Sequence, residues 1–294
     1  MASGIPRPSA LPPEFADALA PRAGRLGGFG ARVEWYDTVS STNDVADRLA
    51  WEGAAHGTVV AADFQESGRG RMGRTWHSPP GAGLYVSVVL RPERLLAPGG
   101  RAPLSAASPV TLTAGVAAAD ALRAVTGLPV EIKWPNDVVI GWRKICGILA
   151  EGAAAGHAIR HVVLGIGVNV LASAYPPDIA DRATSLEAEA GRAVDRGAVF
   201  AELLACLAER VGRLPAGRFD EVLEAWRRLS PSSVGTRVGI STPDGWVEAV
   251  TAGLDADGAL LVHAGGEARR VIAGEVRWPA PGGRLNEDLH AARH

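Results

Sequence analysis

The sequence predicts an α+β fold in two parts: a larger domain built on a mixed β-sheet flanked by helices, and a small β-barrel near the C-terminal end. Three observations carry that reading. Between residues 33 and 170, apolar runs such as "GTVVAADFQ", "GLYVSVVLRP", "KICGILAEGA" and "HVVLGIGVNV" read as strands, and helical patterns interrupt them. Two amphipathic stretches, "RGAVFAELLACLAERVGRL" and "FDEVLEAWRRL", follow as helices. After Pro231 the helices cease. "TRVGIS", "WVEAVTAGLD", "ALLVHA" and "ARRVIA" are then divided by the turn signals "TPDG", "DADG" and "AGG", the rhythm of a small barrel.

Taken in order, residues 1–30 carry five prolines and five glycines and read as a flexible leader. The main domain spans 31–230, the barrel 231–280, and a flexible tail 281–294. Val33 to Tyr36 reads as the first strand. Ser41 stands three residues before Asp44, a capping-box spacing, and Val45, Ala46, Leu49 and Ala50 share the face of the helix that follows. Residues 108–126 form an alanine-rich helix stopped by Gly127. "VEIKWP" and "DVVI" are short strands bent at Pro135.

Composition excludes several functions. The 294 residues carry 30 basic and 32 acidic side chains, net −2, so any positive site is local and nothing argues for DNA as a partner. Two cysteines, Cys146 and Cys206, make no disulfide framework, and a reducing, cytoplasmic setting is the simpler reading. The proline-broken start has no signal-peptide core. No apolar run is long enough to cross a membrane. The seven histidines never fall in a paired metal-binding spacing, so no protein-held metal is expected.

The most informative stretch is "GRGRMGRT", residues 68–75. Gly68, Gly70 and Gly73 satisfy GxGxxG, and the end of the stretch nearly makes a P-loop. Both of those phosphate sites need a helix directly after the loop. Here "WHSPPGAGLYVSVV" follows, whose prolines and glycines forbid a helix before the next strand. The arginines say more. Each guanidinium can hold two oxygens of a phosphate or carboxylate, and such charged bonds contribute about 1.5–3 kcal/mol each. Three like charges on a glycine-rich loop should hold it open when empty, and an anion should draw it shut. The bland alternative is a solvated basic turn.

Further stretches tilt the balance. "KWPND" holds Lys133, Asn136 and Asp137; "RKICGIL" holds Lys144 and, three residues on, Gly147; "GIGVNV" sets Asn169 among apolar residues. With "SSTN", "QESGRGRMGRTW" and "GEVRW", in this order, they resemble the biotin–protein ligases, from about Val33 to Trp278. The resemblance implies a sheet domain of the biotin/lipoate ligase type, like class II synthetases, with an SH3-like barrel after it. It also implies a reaction: biotin is activated with ATP and Mg2+ to biotinyl-5′-adenylate, then passed to a lysine of a biotin carboxyl carrier domain.

The resemblance assigns roles by position. Ser41, Thr42, Asn43, Gln65 and Gly68 fall in the biotin pocket. Arg69 and Arg71 belong to the loop closing over biotin and phosphates, and Arg74 shares the motif. Trp76 packs on adenine, Asn169 lies near adenine and phosphate, and Asp137 helps position the incoming amine or a magnesium ion. Lys144 is the cation where carboxylate and α-phosphate meet, and Gly147 lets backbone approach the ligand. Lys133 and Asn136 could equally be structural. Cys146 stands where the family often has alanine, and the N-terminal DNA-binding domain of some members has no counterpart before Val33. Two rival readings stay open: a lipoate–protein ligase or octanoyltransferase, which shares the fold, and a regulator that binds biotin or nucleic acid without catalysis.

Overall fold

The computed structural model describes residues 6–95, 109–155, 158–243, 245–272, 274 and 276–279. Its centre is a seven-stranded mixed sheet in the order β1-β2-β3-β7-β6-β5-β4. The strands are β1 (Val33–Val39), β2 (Val59–Gln65), β3 (Gly83–Leu90), β4 (Val130–Lys133), β5 (Asp137–Ile140), β6 (Arg143–Ala155) and β7 (Ala158–Asn169). Among the described strands only β1 and β2 pair in parallel, and helix α2 (Thr42–Trp51) supplies the crossover that parallel neighbours need. The other ladders are antiparallel.

Side chains alternate across a strand, so the two faces of the sheet have different tasks. Val162, Leu164, Ile166 and Val168 of β7 face a large core with α1 (Pro13–Leu19), α3 (Pro109–Thr126), the short α4 (Leu186–Ala190), α5 (Arg196–Val211) and α6 (Phe219–Leu229). A smaller cluster on the opposite face takes Val163 of β7, Val60 and Ala62 of β2, and Val45, Ala46 and Ala50 of α2. Continuing along β7, that face presents Gly165, Gly167 and Asn169 beyond the end of α2. The site lies there.

The leader expectation does not hold for the described residues. Pro12 and Pro13 start α1 instead of preventing it, because proline is tolerated in the first turn of a helix. Phe15 is fully buried, 4.8 Å from the Trp35 ring and 5.2 Å from the Phe200 ring between centroids. Arg22 and Arg25 pair with Glu202 of α5. Four buried side chains, Phe15, Leu19, Leu26 and Phe29, and one ion-pair cluster fix a stretch whose composition alone reads as loose.

Beyond α6, five strands form a second, antiparallel sheet in the order β11-β10-β9-β8-β12. They are β8 (Val234–Thr242), β9 (Gly245–Leu254), β10 (Leu260–Ala264), β11 (Glu267–Val271) and β12 (Val276–Arg277). The strands fall where the turn signals put them. The expected barrel closure is not present: among the described residues β11 and β12 are edges that do not pair with each other. The apolar residues of this sheet join the main core, and the buried Trp134 indole donates to Gly258 O at 3.1 Å. The expected tail from 281 lies outside the described residues, as do residues 1–5 and Glu275 of "GEVRW". No helix among the described residues is long and apolar enough to cross a membrane.

Candidate active site

The arginine stretch leaves β2 and folds into a tight hairpin. Gly70 N donates to Arg74 O at 2.7 Å and Trp76 N to Gly68 O at 2.8 Å. Gly68 is required by close approach, since a Cβ there would lie 2.6 Å from Ser78 Oγ. The expectation of an open strip of free guanidinium groups does not hold. Arg69 lies 2.9 Å from both Asp44 and Glu151, and Arg71 donates to Asn136 Oδ1 at 3.0 Å and to Gly274 O at 3.4 Å. Arg74 is partnered as well. Nearby carboxylates and carbonyls offset the repulsion that the sequence alone suggested.

The hairpin carries Trp76 onto a bare patch of sheet. Gly147 of β6 and Gly167 of β7 are directly paired, and the Trp76 ring covers both. A Cβ at Gly167 would stand 2.5 Å from Trp76 Nε1, and one at Gly147 would stand 2.8 Å from the same ring and 2.9 Å from Lys144 Cε. Gly147 therefore admits Trp76 and Lys144. The Trp76 indole N–H is buried with no hydrogen-bond partner among the described residues, a state that costs about 1–3 kcal/mol.

Two spaces meet at this tryptophan. An inner cavity of about 50 Å³ has Ser41, Thr42, Asn43 and Gln65 at its polar end and the glycines of β6 and β7 as its floor. It opens beside an outer cleft of about 800 Å³, lined by Arg74, Lys133, Asp137, Asn169 and Arg182 and by Val276 of β12 and Trp278 just after it. Gly70, Arg71, Trp76, Asn136 and Lys144 line both.

The polar end is cross-linked. Thr42 N and Oγ1 both donate to Gln65 Oε1, at 2.9 and 3.1 Å, and Gln65 Nε2 donates to Ser78 Oγ at 2.8 Å. Ser41 is the N-cap of α2, but its side chain makes no capping bond; it is buried and lines the cavity. Asp44 likewise serves Arg69 instead of closing a capping box.

Lys144 is held from several sides. Its Nζ is 2.6 Å from Asp137 Oδ1 and 5.3 Å from the centre of the Trp76 ring. Its backbone N donates to Arg182 O and its carbonyl accepts from Thr184 N, both at 2.9 Å, so the chain after β7 is stitched to it. Burial pushes the Asp137 carboxyl up, but Lys144, Lys133 and Arg71 outweigh it and hold the group below the usual carboxylate range. Burial lowers the Arg71 pKa, with Asp137 opposing, and a guanidinium remains protonated at neutral pH. The Cys146 thiol, fully buried, is pushed up to about 12 by burial, far from a reactive thiolate. Asn169 spends its amide on Thr184 O at 3.0 Å while lining the cleft.

The structure thus brings Ser41, Thr42, Asn43, Gln65, Arg69, Arg71, Trp76, Lys144 and Gly147 to the inner cavity, and Arg74, Asp137 and Asn169 to the outer cleft. Sequence reasoning missed Asp44, Ser87 and Glu151, and the segment 175–183 that walls the cleft. Of the floor it found Gly147 but missed Gly165 and Gly167, although "GIGVN" carries the signal: glycines two apart in a strand bare one face.

A sheet that seats an arginine hairpin, a lysine and paired glycines between an inner cavity and an outer cleft defines an anion-handling two-substrate site. The biotin/lipoate A/B protein ligase family matches residues 35–169. The bifunctional ligase/repressor BirA of Bacillus spizizenii is 33% identical over 249 residues, 84% of this chain and 74% of that one. A biotin–[acetyl-CoA-carboxylase] ligase of Mycobacterium tuberculosis is 32% identical over 260 residues, 86% of this chain and 92% of its own. The biotin protein ligase of Aquifex aeolicus, solved in complex with biotin and ATP, superimposes with a TM-score of 0.71 at 29% identity, covering 84% of this chain and 97% of that chain. This chain belongs to the biotin/lipoate A/B protein ligase family.

Proposed function

We infer that this protein is a biotin–protein ligase, which activates biotin with ATP and transfers it to a lysine of a carrier protein. One observation carries the reading: the residues shared by the two spaces are a lysine, an arginine, a tryptophan, an asparagine and a glycine, so both anionic substrates would meet at Lys144 and Arg71. The Mycobacterium relative is named a biotin–[acetyl-CoA-carboxylase] ligase, and the Aquifex ligase was solved with biotin and ATP.

In the first step a biotin carboxylate oxygen attacks the α-phosphorus of ATP and pyrophosphate leaves. Two anions must approach, and preorganised cations are what lowers that barrier. The ureido group of biotin lies at the polar end, where Ser41, Thr42, Asn43 and Gln65 offer donors and acceptors, and its carboxylate faces Lys144 at the junction of the two spaces. The nucleotide lies in the outer cleft with Arg74 and Asn169. Because Trp76 narrows the inner cavity, a bound vitamin shifts that ring and the hairpin carrying it. The product is a mixed anhydride, and a hairpin held over it keeps water away. In the second step the carrier lysine amine attacks the acyl carbon and AMP departs.

Asp137 is engaged by Lys144 at 2.6 Å and Lys133 at 3.7 Å, a poor donor for a metal ion. Mg2+ enters as the ATP complex instead, and Asp137 orients Lys144. The carriers are the carrier domains of biotin-dependent carboxylases, in the cytoplasm, where the buried free thiols of Cys146 and Cys206 remain reduced.

The test is isotope exchange between ATP and pyrophosphate, followed by label transfer to a carrier domain. Exchange that needs biotin and ignores lipoate is expected. Exchange that needs lipoate and ignores biotin overturns the reading.

A further inference from the structure

We propose that Glu151 is a positioning residue that clasps the arginine hairpin to the polar end of the inner cavity. The inference rests on the biotin–protein ligase reading and adds a residue to it. Glu151 lies on β6, four residues beyond Gly147 and on the same face. One of its oxygens, Oε2, accepts from Asn43 Nδ2 at 2.6 Å and from Arg69 Nη2 at 2.9 Å. From Asn43 the contacts continue: Ser87 Oγ lies 2.6 Å from Asn43 Oδ1 and 2.8 Å from Thr42 Oγ1. Thr42 in turn donates to Gln65, the last residue of β2 before the hairpin.

The chain of bonds therefore leaves the hairpin at Arg69, crosses the cavity wall through Glu151, Asn43, Ser87 and Thr42, and returns to the root of the hairpin at Gln65. Asp44 also pairs with Arg69, at 2.9 Å, but Glu151 alone bonds both Arg69 and Asn43 among the described residues. A ligand pressing on Thr42 and Asn43 orders the groups that anchor Arg69, and an anchored Arg69 holds the hairpin over that ligand. Linked hydrogen bonds of this kind act as a unit.

Arg69 and Glu151 are each about two-fifths exposed, so the expected effect is bounded by that of a partly exposed ion pair, up to about fivefold. The experiment uses the full chain. Wild-type protein is first assayed for biotin-dependent ATP–pyrophosphate exchange. Glu151→Gln, Arg69→Gln and the double variant are then compared for kcat, for KM for biotin, and for the rate at which preformed biotinyl-adenylate escapes.

Glu151→Gln keeps an oxygen for Asn43 and removes the charge that holds Arg69. Its KM for biotin and its adenylate escape rate should both rise, by about two- to fivefold, with a smaller change in kcat. Arg69→Gln should raise escape at least as much, and the double variant should escape no faster than Arg69→Gln alone. Additive escape rates, or a fall in kcat with KM and escape unchanged, overturn the clasp while leaving the ligase reading intact. Wild-type protein without biotin-dependent exchange overturns the ligase reading, and the clasp with it.

Discussion

Adding one methyl group at Gly167 should disable this site while leaving the fold in place. A Cβ there would stand 2.5 Å from Trp76 Nε1, about 1 Å inside ordinary contact. Nothing flexible lies in the way: the obstacle is an indole ring against a strand. The ring cannot slide along the sheet, because Gly147 is the paired neighbour and Lys144 Nζ stands 5.3 Å from the ring centre. It can only lift, and since Trp76 N is bonded to Gly68 O at 2.8 Å, the hairpin lifts with it. Overpacking of this kind costs about 1–3 kcal/mol. That strain falls on hairpin closure and not on the large core, which lies on the other face of the sheet. At a factor of ten per about 1.4 kcal/mol, kcat/KM for biotin in pyrophosphate exchange should fall about 5- to 150-fold. The melting temperature should shift by no more than a few degrees, about what 1 kcal/mol moves in a chain of this size. Trp76→Ala removes the obstacle, so adding Gly167→Ala to it should cause little further loss. A kcat/KM within twofold of wild type, or full additivity of the two substitutions, refutes the argument.

The remaining predictions concern charge and thiols. Lys144→Ala should lower exchange by about 100-fold or more, the effect of losing one preorganised group at developing charge, and near-normal exchange would reject its proposed role. The same variant changes the acid response. In the wild type the Asp137 carboxyl is held below its ordinary value, so its contribution to stability is complete above the usual carboxylate range and is lost only as pH falls beneath it. Without Lys144 burial is opposed by fewer cations, the carboxyl moves up toward or past its ordinary value, and the stability lost on acidification should be smaller than in the wild type; urea midpoints that fall equally in both proteins across the acid range would contradict this. Finally, burial pushes the Cys146 and Cys206 thiols both up to about 12, so iodoacetamide near pH 8 should leave both untouched in folded protein and modify both in urea. Rapid stoichiometric labelling of either thiol in the folded state would show the burial to be wrong.

The sequence by itself determined the strands, the longer helices from α2 onward and the concentrated positive charge of residues 68–75. Those features depend on local period and residue chemistry, which a chain displays one window at a time. Val162 to Asn169 is a strand because apolar and small residues alternate, and α5 is a helix because its apolar stripe repeats at helical spacing. The tertiary structure decided which residues became partners. Arg69 and Glu151 are separated by 82 positions and Arg71 and Asn136 by 65, and no window contains both members of either pair. It also reversed the reading of residues 6–30: prolines and glycines obscure the helical spacing of Leu11, Phe15 and Leu19, yet Phe15 is fully buried between Trp35 and Phe200. The same holds for the glycines. Gly147 and Gly167 look like weak points in two apolar strands until register sets them side by side and Trp76 covers them. Local pattern fixes what an element is, because backbone geometry repeats over a few residues; contact between distant side chains depends on how the elements pack, and only the folded chain specifies that.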